Sequence, residues 1–160
     1  MKKIYYVILF SLSSLIITSC SKDDEEKDCY VSSVSISDDN KTLLERYISE
    51  HHQEAVYHPD GFYYEIAASG NGKTPTPCSN TTVNYKGTLT TGTVFDNANG
   101  VTFDLSNLIA GWKFGLPLIK EGGIITLYLP PELAYGSTGV SGLIPGNAIT
   151  IFNIELLSVN

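Results

Sequence analysis

The chain is poor in the residues that carry most covalent catalysis. Among 160 residues there are three cysteines and three histidines, with one methionine and one tryptophan. No histidine follows His58 and no serine stands in a nucleophile-elbow motif, which argues against a serine or cysteine hydrolase. His51, His52 and His58 are framed by no cysteine or carboxylate pattern of ligand spacing, so neither a metal nor a cofactor is expected. Paired-carboxylate and phosphate-loop motifs are missing as well. Basic residues are outnumbered, ten Lys and Arg against seventeen Asp and Glu for a formal charge of -7, so no cationic face for nucleic acid is expected.

What is present begins with an address. A basic start, Met1-Lys2-Lys3, leads into the apolar stretch Ile4 to Ile17 and then Thr18-Ser19-Cys20. The stretch is too short and wrongly flanked for a transmembrane helix, and residues 1–19 read as a secretory signal peptide. Leu15-Ile16-Ile17-Thr18-Ser19-Cys20 resembles a bacterial lipobox, with Ile17 where leucine is usual. That resemblance implies cleavage before Cys20, lipidation of Cys20, and a membrane reached through that anchor. The implied address is the cell envelope, at the outer membrane, facing periplasm or surface. Residues 20–40 read as a lipidated tether and linker, because the charge run Ser21 to Asp28 cannot bury enough apolar area to order itself. Acidic runs behind a lipidated cysteine also resemble surface-export signals. Cys29 and Cys78 remain, as a disulfide or as two free thiols. A bridge would close a loop of about 50 residues and contribute roughly 2–4 kcal/mol.

The rest alternates between one helix and many strands. Residues 41–57 are expected to form a helix, capped by the box Thr42-Leu43-Leu44-Glu45, with Leu43, Leu44, Tyr47, Ile48, His51 and Ala55 on one face. That face can pack on its own domain or pair with a second copy. His58-Pro59-Asp60-Gly61 is expected to stop the helix. From residue 60 to 160 the pattern is β: Phe62 to Ile66, Thr81 to Leu89, Thr93 to Asp96, Val101 to Leu105, Ile124 to Leu129 and Ala148 to Ser158. Asn97 to Gly100 reads as a turn and Pro131 to Pro145 as a long loop. Trp112 to Ile119 reads as a short helix, weak because Gly115 and Pro117 lie inside it, with distortion expected near its C-terminal end. This indicates an α+β fold, an antiparallel twisted sheet of about five to six strands wrapped on a short central helix, with an N-terminal helix ahead of it.

The single tryptophan stands in Leu108-Ile109-Ala110-Gly111-Trp112, where an extended segment gives way to that helix. A large ring at such a junction can floor a pocket or simply fill a core. Aromatic residues gather in the neighbouring segments: Tyr85, Phe95, Phe103, Tyr135 and Phe152, with Asp96 among them. Tyr135 lies in the glycine-rich run Ala134 to Gly139, which exposes its one large side chain.

In order along the chain, Val83-Asn84-Tyr85-Lys86-Gly87, Gly92-Thr93-Val94-Phe95-Asp96, Phe103, Ile109-Ala110-Gly111-Trp112, Pro131 to Gly136, Ile144-Pro145 and Phe152 to Leu157 resemble the FKBP-type peptidyl-prolyl cis-trans isomerases. The resemblance covers roughly Thr81 to Val159. It implies a catalytic set of Tyr85, Phe95, Asp96, Ile109, Trp112, Tyr135 and Phe152. Trp112 would floor the pocket, and Tyr85, Phe95 and Phe152 would wall it. The Ile109 backbone N–H and the Tyr135 hydroxyl would donate to peptide carbonyls, and Asp96 would orient its neighbours at the rim. Val101, Phe103, Leu108, Leu143 and Ile144 would contact substrate. Val101, Leu108 and Val140 depart from the family's commoner aromatic, valine and histidine. The implied partners are proline-containing exported polypeptides and the macrolide inhibitors of the family. A module of the same fold that holds proline segments with little turnover is the alternative.

Overall fold

The computed structural model describes Cys29 and residues 31–160. The signal peptide, Cys20 and the acidic run therefore lie outside the described residues. The elements run in the order α1 (Asp38–His51), β1 (Val56–His58), β2 (Phe62–Ala68), β3 (Asn80–Leu89), β4 (Val94–Asp104), α2 (Ala110–Gly115), β5 (Ile124–Leu129) and β6 (Thr150–Val159). The six strands form one sheet in the order β1-β2-β5-β6-β3-β4, antiparallel throughout.

Side-chain alternation gives this sheet two apolar faces. Ile125, Leu127 and Leu129 of β5 and Phe152, Ile154 and Leu156 of β6 belong to the main core, together with Trp112 and Leu116. Each such side chain contributes roughly 1.5–3 kcal/mol by leaving water. On the other face, Tyr128 packs with Leu44 and Ile48 of α1, flanked by Tyr63, Ile149 and Ile151. The Tyr128 hydroxyl donates to Glu65 Oε1 at 3.0 Å, and His52 Nδ1 lies 2.9 Å from the Tyr128 hydroxyl oxygen. That network satisfies a polar tip which burial would otherwise strand.

Helix α2 is held by packing. Gly111 and Gly115, one turn apart, face β5 so closely that a Cβ on either would strike the side chain of Leu129 or Leu127. Two poor helix formers thus let the helix axis approach the sheet, and the sheet stabilises the helix in return. As expected from Pro117, the α-helix ends at Gly115 and tightens into a 3-10 turn over Leu116–Leu118.

Several expected boundaries differ. The first helix spans Asp38–His51 rather than residues 41–57, and Thr42 lies inside it. Ser37 is its N-cap, with Asp38 and Asp39 in the first turn, a stronger start than Thr42 offers. Of the expected apolar face only Leu44 and Ile48 are buried, while Leu43 and His51 are exposed. Residues 56–58, expected as helix end and turn, form β1, because pairing with β2 outweighs local pattern. Asn97 to Gly100 is no turn. One continuous strand, β4, carries irregularities against β3 between Val83 and Tyr85 and between Gly87 and Thr88. Gly100 takes φ 64°, and its N–H donates to Asn84 Oδ1 at 2.8 Å, so a bulge absorbs the turn-like residues. The cysteine pair is a disulfide: Cys29 and Cys78 are bridged across a separation of 49 residues, with Cα atoms 5.3 Å apart.

Candidate active site

The cleft opens between the concave side of the sheet and the start of α2. It has a volume of about 190 Å³ and is lined by Tyr85, Asp96, Phe103, Leu108, Ile109, Trp112, Tyr135 and Phe152. Trp112, 4% exposed, is the centre of the arrangement. The rings of Tyr85, Phe103 and Phe152 stand at 82°, 85° and 86° to the indole, with centroids 5.3, 6.1 and 5.5 Å away. Near-perpendicular packing suits the ring quadrupoles and raises three walls around one floor.

Phe95 forms the layer behind those walls. Its ring meets Phe152 at 5.5 Å and Tyr135 at 6.0 Å, both at 83°. It can do so because β3 offers Gly87 opposite: a Cβ there would come within 2.6 Å of the Phe95 ring. The β4 bulge matters as much. Strict alternation would send Phe95 and Asp96 to opposite faces. In the register, Gly87 pairs with Asp96 while Thr88 pairs with Val94, so Phe95 is the extra residue and both side chains serve the cleft.

Polar groups are few. The Tyr85 hydroxyl donates to Asp96 Oδ2 at 2.6 Å. Burial, then that bond and the negative charge of Asp96, hold the Tyr85 phenol well above its ordinary 10.0. Tyr135 is raised too, by burial first and Asp96 second. Both phenols therefore stay protonated at neutral pH, and the Tyr135 hydroxyl has no protein acceptor among the described residues. The Ile109 backbone N–H, at the N-cap of α2, is likewise without a partner among the described residues. Two donors thus face a cleft whose walls are hydrocarbon.

The sequence-derived set is largely brought together, with four exceptions: Phe95, expected as a wall, stands behind the lining residues, and Val101, Leu143 and Ile144 lie outside the lining. Val101 packs against the core and does not line the cleft. Leu143, 58% exposed, and Ile144 line a separate shallow surface with Thr138 and Val140, where Val140 and Ile144 pair through an isolated antiparallel β-bridge. The sequence assigns no role to Glu132. Its spacing from Tyr135 is visible, but its partners come from a segment some ninety residues earlier.

The site is a ring-walled cleft between an antiparallel sheet and a short helix, and no serine, cysteine or histidine is among its lining residues. The chain belongs to the family of FKBP-type peptidyl-prolyl cis-trans isomerases, whose domain matches residues 71–157. It is 46% identical over 103 residues to FkpA of Escherichia coli, a match covering 62% of this chain and 38% of that protein. With Mip of Coxiella burnetii it shares 41% identity over 104 residues, 62% of this chain and 45% of the relative. The chain thus spans less than half the length of these relatives. The crystal structure of FkpA from Escherichia coli superposes with a TM-score of 0.69 at 39% identity, covering 76% of this chain and 60% of that one.

Proposed function

We propose that the protein is a peptidyl-prolyl cis-trans isomerase acting on proline-containing exported polypeptides. Family membership supports this, and the carrying observation is the ring-walled cleft over Trp112 with two unengaged donors at its edge. Rotation about an X-Pro bond faces a barrier of about 18–20 kcal/mol, because amide resonance must be broken. The two ground states differ by only about 0.5–1 kcal/mol, so no covalent intermediate is needed. Trp112, Tyr85, Phe103 and Phe152 would take the proline ring out of water and disfavour the polar planar amide relative to its twisted form. Tyr135 Oη and the Ile109 N–H would hold the flanking carbonyls, and Asp96 would fix Tyr85. Each increment of about 1.4 kcal/mol in differential stabilisation gives tenfold in rate. Phe95 would act from the second layer, and Val101, Leu143 and Ile144 would serve substrate only beyond the cleft.

The same reading includes lipidation at Cys20 and attachment to the cell envelope, supported by the lipobox at residues 15–20 and the charged tether behind it. Residues 1–19 would be the signal peptide and residues 60–160 the isomerase domain, with β1 (Val56–His58) extending its sheet.

NMR exchange kinetics on a short X-Pro peptide test the activity. Acceleration that is lost on adding a family-directed macrolide is the expected result. Saturable macrolide binding without acceleration overturns the isomerase in favour of a proline-segment binding module.

A further inference from the structure

The segment ahead of α1 meets the loop that carries Tyr135 at one carboxylate. Glu132 lies in the 3-10 turn Pro131–Leu133. Its Oε1 accepts from the Ser37 backbone N–H at 3.1 Å and from Asn40 Nδ2 at 2.8 Å. Ser37 is the N-cap of α1 and Asn40 stands in its first turn, so the charge lies at the positive end of a 14-residue helix. Burial pushes the Glu132 carboxyl up, but the bonds from Asn40 and Ser37 outweigh it and hold the group below its ordinary 4.5. The second oxygen, Oε2, is buried with no partner among the described residues. A carboxylate held through one oxygen depends on both of its donors.

Each side of this junction is itself fixed. Upstream, the Cys29–Cys78 bridge pins the segment, and Val34 and Ile36 pack on the main core. Downstream, the Ala134 and Gly136 N–H groups both donate to the Pro131 carbonyl, at 2.9 and 2.8 Å. Leu133 is fully buried between them. The backbone from 131 to 136 is therefore one closed unit, and a shift at Glu132 is carried to Tyr135.

We propose that Glu132 is a positioning residue for the cleft: held by Ser37 and Asn40, it sets where the Tyr135 hydroxyl stands in the cleft lining. The disulfide-tied N-terminal segment thereby becomes part of the site. The claim rests on the isomerase reading for its kinetic consequence, though not for its structural one.

The test compares the full chain with Asn40→Ala, Tyr135→Phe and the double variant. Asn40→Ala removes one donor without touching the cleft or the carboxylate. It should lower kcat/KM on an X-Pro peptide about threefold or more, and by less than about twofold when Tyr135 is already phenylalanine. An equal loss in both backgrounds would mean that Glu132 acts on the fold at large, and would overturn the proposal. The Tyr135 ring resonances give a second readout. They should shift in Asn40→Ala while the methyl resonances of Ile125 and Leu127 stay in place, and unmoved Tyr135 signals overturn the proposal. Should the unmodified chain fail to accelerate isomerisation, the isomerase reading falls, and the ring resonances alone decide the positioning claim.

Discussion

At the scale of single residues, the cleft presents two phenols that keep their protons at neutral pH. Tyr135 can donate a hydrogen bond only while it keeps its proton, and burial raises its pKa above the ordinary 10.0. Activity should therefore be level from neutral pH to about pH 10, the value of an unperturbed tyrosine. A fall centred well below that pH, in a pH–rate profile, would remove Tyr135 from the mechanism. Tyr85→Phe deletes the donor to Asp96 and should lower kcat/KM while costing about 1 kcal/mol of stability, since the bond joins an exposed carboxylate. Urea unfolding read beside the kinetics separates the two effects. An unchanged kcat/KM would leave the Tyr85–Asp96 pair a structural bond only.

At the scale of elements, the seat of α2 on the sheet decides where Trp112 stands. Gly111→Ala improves intrinsic helix propensity by about 1 kcal/mol. It also drives a methyl group into Leu129, in a core already filled. Overpacking of this kind typically costs about 1–3 kcal/mol, so we expect a net loss of stability and a displaced indole. Denaturant midpoints and Trp112 fluorescence report the two separately; a stabilised variant would show that α2 can lift freely from β5. The β4 bulge is the other element-level device. It brings Phe95 and Asp96 to one face, an outcome no alternating strand allows.

At the scale of the molecule, the N-terminal segment, α1 and the sheet are fastened together. Replacing Cys29 and Cys78 with serine should lower stability by roughly 2–4 kcal/mol, because the unfolded chain regains the freedom of a closed loop of about 50 residues. An unchanged melting midpoint, with the bridge shown absent by thiol titration, would refute that. The pH dependence of stability follows from which groups are shifted. Tyr85, Tyr128 and Tyr135 are all raised above 10.0, chiefly by burial. The folded chain keeps protons that the unfolded chain has released, so stability is full below pH 10 and declines as pH climbs through the folded values. Glu132 is lowered from 4.5 and works in the opposite sense, its contribution present above that pH and lost as pH falls. A plateau between these limits is expected in thermal melts across the range.

Much of this protein is set by order along the chain. The strands from Phe62 onward, the weak helix after Ile109, the break at Pro117 and the ring set around Trp112 each follow from local composition and spacing, which short-range sterics and side-chain period convert directly into structure. Tertiary structure alone decided the rest. The pairing of β1, the bulge that absorbs Asn97 to Gly100, and the departure of Leu143 and Ile144 from the cleft all depend on partners distant in sequence. The joining of Glu132 to Ser37 and Asn40 is of the same kind: no local pattern announces it, because the energy of a hydrogen bond depends on where two segments meet and not on their spacing in the chain.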